Sequence, residues 1–158
     1  MTKPSFVYVT YIATAPEKIW QALVDTDLMA QYWIGPGADC SRVNVSDWKP
    51  GSRWEHRRTD GTNTVDIAGK VVEVDPPRRL VMTWARPAEV ADESKHSLVS
   101  FDIAPHGDGL VRLTVTHADL EKDQKMLEGV STGWPKVLSN LKTLLETGHA
   151  LPRVRPAA

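Results

Sequence analysis

A single cysteine, Cys40, stands among the 158 residues. No disulfide can close within the chain, and such sparing use of cysteine suits a reducing interior. A reactive thiol needs an electropositive setting; Arg42 is the one close basic neighbour in sequence, so an inert cysteine is expected. An excess of one charge is lacking too. Nineteen Lys and Arg against twenty Asp and Glu leave a net charge of −1, with no block of like charges. A nucleic-acid partner, which requires a basic face or stripe, is excluded on that ground. The pairs Arg57-Arg58 and Arg78-Arg79 read as solvated strand ends. No apolar run approaches the roughly 20 residues of a membrane span. Residues 1–15 lack the basic start and continuous apolar stretch of a signal peptide; a cytoplasmic location is expected. His56, His96, His106, His117 and His149 show no two-to-four-residue ligand spacing, so neither a metal nor another cofactor is expected. A nucleophile-elbow motif is absent, and Gly35-Pro-Gly37 lacks the strand-to-helix setting of a phosphate loop.

What is present is ordinary globular composition, 41% hydrophobic and 25% charged. The length fits one domain able to bury its own core. That domain is expected over residues 1–148, with 149–158, carrying Pro152 and Pro156, as a mobile tail.

Phe6 to Ile12 is aromatic and β-branched and reads as a strand. Thr14-Ala-Pro-Glu17 has the form of a capping box with proline in the first turn. The helix that follows shows Ile19, Trp20, Leu23 and Val24 on one face. Thr26-Asp27 recaps a short helix through Met29 and Tyr32, which ends at Ile34-Gly-Pro-Gly37. Six further strands are expected, over Ser41 to Ser46, Ser52 to Arg58, Thr64 to Val74, Arg79 to Ala85, Ser97 to Ala104 and Leu110 to His117. Asp60-Gly61 is a hairpin signal, and Pro87 to Lys95 is a polar loop. Short connections between consecutive strands imply an antiparallel meander. Last comes a long helix, about Lys122 to Thr147, whose stripe includes Leu127, Val130, Trp134, Leu138 and Leu141 and which stops at Gly148. Pro135 lies inside it and predicts a kink near Ser131.

A twisted sheet curls, and one helix seldom fills the concavity. The space left over is the usual place for a small-molecule site. The order of elements, with four sequence pieces, resembles the START-like, Bet v 1-like (SRPBCC) superfamily. Within it, the chain is similar to the C-terminal domain of the activator of Hsp90 ATPase. The pieces are Ala15-Pro-Glu-Lys-Ile-Trp20 with Gln31-Tyr32-Trp33; Trp48-Lys-Pro-Gly51 with Asp60-Gly61; Gly69 to Trp84; and Leu113-Thr-Val-Thr-His117 with Gly133-Trp134-Pro-Lys-Val-Leu138. The resemblance implies an α+β helix-grip fold, a curved antiparallel sheet of about seven strands wrapped around the C-terminal helix. It implies a ligand cavity between the two. It does not imply a reaction, because fold-level likeness is a poor warrant for function.

Six tryptophans give the chain an unusual supply of large apolar bodies, each with one N–H to satisfy when buried. Period-2 counting puts Trp54 with His56 and Arg58, Trp84 with Leu80 and Met82, and His117 with Leu113 and Val115. The expected lining is Trp54, His56, Trp84, Phe101, His117 and Trp134, with Trp33 near the mouth. The leading expectation is binding of a small hydrophobic or aromatic molecule. An enzyme on the same scaffold would use His117 or His56 as acid–base, beside Arg58 or a buried carboxylate. An interaction module related to chaperone ATPase activation is the third class. Apolar surface on edge strands or the proline-rich tail would support a homodimer.

Overall fold

The structure is a computed structural model and describes residues 5–34 and 40–152. It contains strands β1 (Phe6–Ile12), β2 (Arg42–Ser46), β3 (Arg53–Arg58), β4 (Val65–Asp75), β5 (Arg79–Trp84), β6 (Ser97–Pro105) and β7 (Val111–Ala118). Helices are α1 (Pro16–Val24), α2 (Thr26–Tyr32) and α3 (Gln124–Thr147). The strands form one antiparallel sheet in the order β1-β7-β6-β5-β4-β3-β2. From β2 to β7 this is the expected meander. β1 closes it on the far side of β7, with Phe6 opposite His117 and Ile12 opposite Val111. Helices α1 and α2 therefore carry the chain from one sheet edge to the other. With α3 lying against the sheet, the fold is the α+β helix grip.

Alternation explains which face each strand buries. In β7, Val111, Leu113, Val115 and His117 are all buried, and in β6 so are Ser97, Val99, Phe101 and Ile103. On the edge strand β1 the outward residues Val7, Val9 and Tyr11 stay exposed. The long helix docks through Val130, Trp134, Val137, Leu138, Leu141 and Leu144, whose spacing makes one continuous stripe. Gly148 ends it in the left-handed conformation, φ 84°, with its N–H on the carbonyl of Leu144. Buried Asn140 sits on the same stripe. Its Nδ2 donates to the carbonyl of Tyr32 at 2.8 Å, and its Oδ1 accepts from the Leu151 amide at 2.6 Å.

Several local expectations need correction. Thr14 does not cap α1; Ala15 holds that position with no side-chain bond, and Pro16 opens the first turn. The cap of α2 is Asp25, whose carboxylate accepts from the amides of Asp27 and Leu28. Asp123 caps α3 by accepting from Met126 N. The expected polar loop from Pro87 contains two single-turn 3-10 helices, Pro87–Glu89 and Glu93–Lys95. α3 is one continuous helix that includes Pro135, and Pro135 and Ser131 are both half-buried. The expected Gly35-Pro-Gly37 stop and the tail beyond Pro152 lie outside the described residues.

Candidate functional site

A cavity of about 560 Å³ opens between the β3–β5 part of the sheet and the first half of α3. Trp33, at the end of α2, and His56, Trp84 and Trp134 form its aromatic wall, with Val130 and Val137 beside them. Trp84 is the hub. Its ring centroid lies 5.3 Å from that of Trp54, 5.9 Å from His56, 5.4 Å from His117 and 5.5 Å from Trp134. Trp33 joins through His56 at 5.2 Å, and Phe101 through Trp134 at 5.7 Å. All seven aromatic and histidine residues singled out in the sequence thus form one connected cluster. Four of them line the cavity, while Trp54, Phe101 and His117 are buried behind it.

The reason lies in what covers each strand. Trp54 on β3 reaches over Gly69 of β4, its cross-strand partner, and its Nε1 donates to the carbonyl of Thr83 on β5 at 2.7 Å. A Cβ on Gly69 would sit 2.2 Å from that same oxygen. His117 lies under Trp134 of α3. The Trp134 Nε1–H donates to Nδ1 of His117 at 3.1 Å. An indole N–H only donates, so the neutral imidazole carries its proton on Nε2. That proton goes to Ser97 Oγ at 2.7 Å, and Ser97 gives its own to the carbonyl of Trp84 at 3.0 Å. The direction is fixed throughout. Burial pushes the His117 imidazole down to about 4, which keeps it neutral. In this arrangement it donates to the serine and cannot act as its base.

His56 is bonded differently. Its Nδ1 lies 2.6 Å from Oδ1 of the buried Asn44. An amide oxygen only accepts, so the proton of His56 is on Nδ1 and its Nε2 lone pair has no partner among the described residues. Burial, reinforced by the Arg42 charge, pushes this imidazole down to about 3. Beside it, Trp84 Nε1 is a buried donor without a hydrogen-bond partner among the described residues. Buried polar groups are nearly always satisfied, which makes the Trp84 N–H notable.

Charged side chains ring the outer part of the cavity. Asp66 accepts from Arg58 at 2.8 Å and from Arg42 at 3.1 Å, and the two guanidiniums hold its carboxyl below the usual carboxylate range. Arg58 follows an irregularity between His56 and Arg57 and is partly exposed, unlike Trp54 and His56. Arg86 pairs with Asp123, the cap of α3. Lys125 is exposed and lines the same opening. Gly129 and Gly133 complete the helix side, and a Cβ built on either meets no atom within 4 Å. None of Arg42, Asn44, Ser97, Arg86, Lys125 or the two glycines was singled out from sequence as a site residue. For the glycines there was a signal, since two of them four apart in a long helix weaken it. Among the described residues, no group of three His, Cys, Asp or Glu side chains is placed to hold a metal ion. No helix there is long and apolar enough to cross a membrane.

A seven-stranded sheet gripping a long helix, with a cavity under that helix, defines a helix-grip domain of the SRPBCC kind. The chain belongs to the family described as Activator of Hsp90 ATPase homolog 1-like protein, whose model matches residues 13–146. Solved structures agree on the fold. CalU16 from Micromonospora echinospora matches with a TM-score of 0.67 and 19% identity, over 91% of this chain and 77% of that one. The Aha1 dimer from Colwellia psychrerythraea matches at 0.67 and 21%, over 92% and 98%. An HSP90 activator from Plasmodium falciparum matches at 0.67 and 20%, over 89% and 95%. A search of curated proteins gave no match.

Proposed function

We propose that this domain binds a small, largely hydrophobic molecule in the cavity between the sheet and α3. The observation that carries the reading is the open space opposite Gly129 and Gly133. Glycine inside a helix costs about 1 kcal/mol relative to alanine, and neither position has a neighbour that forbids a methyl group. Two mid-helix glycines without a packing reason make sense when the space in front of them is used. The volume, about 560 Å³, falls within the range of small-molecule sites. Native mass spectrometry of the protein purified from its source tests the reading. A co-purified apolar molecule of one chemical class is the expected result; protein that carries none, and that binds none of a lipid and aromatic panel, contradicts it.

An enzymatic reading has less support. The Ser97–His117 pair runs in the wrong direction for a nucleophile and its base, and His56 is held neutral without a carboxylate against either nitrogen. Pairing of two copies is supported by the exposed Val7, Val9 and Tyr11 on edge strand β1 and by the dimer described for the Colwellia protein. Sedimentation of the wild type and a Val9→Lys variant tests it, with a monomeric wild type as the contrary result.

A further inference from the structure

Within that binding reading, on which this step rests, the polar atoms of two residues that line the cavity narrow the class of ligand. We infer that the ligand is an apolar molecule carrying a neutral hydroxyl, which it donates to Nε2 of His56.

Three observations converge. First, the tautomer of His56 is set by Asn44, because Oδ1 of that residue takes the Nδ1 proton at 2.6 Å; what His56 offers the cavity is therefore an acceptor. Second, Trp84 lies beside it, ring centroids 5.9 Å apart, with an N–H that has no acceptor among the described residues. Third, both residues are largely buried, at 7% exposure each, and both line the cavity, so a ligand there meets the buried Trp84 N–H and the His56 lone pair together. One lone pair and one N–H on adjacent rings are complemented by a group that both donates and accepts. A hydroxyl is the smallest such group.

The alternatives fail on the same atoms. A carboxylate or a ketone brings no hydrogen to Nε2. An ammonium group brings no acceptor to the indole and would approach the Arg42 guanidinium, which lines the same cavity. An ether or a plain hydrocarbon brings no hydrogen to Nε2, and the hydrocarbon also leaves the buried Trp84 N–H without an acceptor, where an unmade bond costs more than the made one gains. Burial keeps His56 unprotonated through the neutral range, so the acceptor is present whenever the domain is folded near neutral pH.

The test uses the full chain and four probes with one naphthalene body: 2-naphthol, 2-methoxynaphthalene, naphthalene and 2-naphthoate, titrated by calorimetry at pH 7. The naphthol is expected to bind about 5-fold more tightly than the ether and the hydrocarbon, the ratio one hydrogen bond supports, and the naphthoate most weakly. In His56→Phe the ratio of naphthol to ether falls to about one while naphthalene affinity holds. Because that variant removes a buried hydrogen bond, nitrogen-15 spectra of the wild-type histidine rings give an independent reading. Naphthol should shift Nε2 of His56 with Nδ1 still protonated, and the ether should not. Equal affinity for naphthol and ether, with binding intact, overturns the hydroxyl inference and leaves the apolar cavity standing. Tightest binding by naphthoate overturns it in favour of an anion. Binding by none of the four overturns both readings.

Discussion

The indole of Trp134 donates to Nδ1 of His117 at 3.1 Å, and that single bond orients a buried chain running on through Ser97 to the carbonyl of Trp84. It fastens α3 to β7, β6 and β5 behind the cavity wall. His117→Phe keeps the shape but strands the indole N–H of Trp134 and leaves the Ser97 hydroxyl oxygen without its donor. Leaving buried groups unsatisfied costs about 1–3 kcal/mol, so urea unfolding should show a loss of that order. Trp134→Phe removes the donor on the other side. The double variant should lose less than the sum of the single ones.

The two buried histidines make stability depend on pH in a particular window. Both imidazoles are depressed in the folded chain, His56 to about 3 and His117 to about 4, from about 6.5 in the unfolded chain. Their contribution is therefore fully present above pH ~6.5 and is lost as pH falls toward those folded values. Between pH 6 and 5 unfolding should take up close to two protons, read from the slope of unfolding free energy against pH. His117→Gln should halve that slope, and an unchanged slope would show His117 titrating normally. The depressed carboxylates, Asp66 and Asp123 among them, act at lower pH and leave this window to the histidines.

Gly69 is required by a neighbour rather than by its backbone angles. Alanine there would place Cβ 2.2 Å from the Thr83 carbonyl oxygen, the atom that accepts from Trp54. Backbone cannot yield as a side chain does, so Gly69→Ala should cost about 3 kcal/mol or more. Thermal unfolding checks it. A melting temperature within a degree of wild type would mean that β4 and β5 separate freely at that point.

Gly129 and Gly133 should behave in the opposite sense. Alanine at either position finds open space and removes a helix-breaking residue. Each substitution is expected to raise stability by about 0.5–1 kcal/mol, as measured by chemical denaturation. A loss of stability at either site would reveal a packing role for the glycine.

Much of the fold was legible because its strands alternate cleanly. Leu113, Val115 and His117 point inward as counted, and the stripe of α3 docks as spaced. Period-2 counting distinguishes inward from outward, but not depth. His117 and Trp84 both face in, yet Trp134 of the helix covers the first, while the second sits where Gly129 and Gly133 leave the helix side bare. That depends on where a helix 24 residues long crosses the sheet, which no local pattern encodes. The same holds for pairs distant in sequence, such as Arg42 with Asp66, or Asn140 with Tyr32. At α1 the local pattern misled. Thr14 and Glu17 have capping-box spacing, but the helix begins one residue later, because Pro16 takes the first helical position and leaves Ala15 as the cap.

A bulky side chain at the helix glycine tests most directly whether the cavity is a binding site. Tryptophan fluorescence reports it, since Trp33, Trp84 and Trp134 form the wall. Wild type and Gly133→Leu are titrated with 2-naphthol under identical conditions, with melting curves confirming that both are folded. Wild type should saturate at one site per chain, and the variant should bind at least about 10-fold more weakly, the loss expected when a buried apolar contact surface is filled. Equal binding by the two folded proteins would place the ligand elsewhere and contradict the assignment of this cavity.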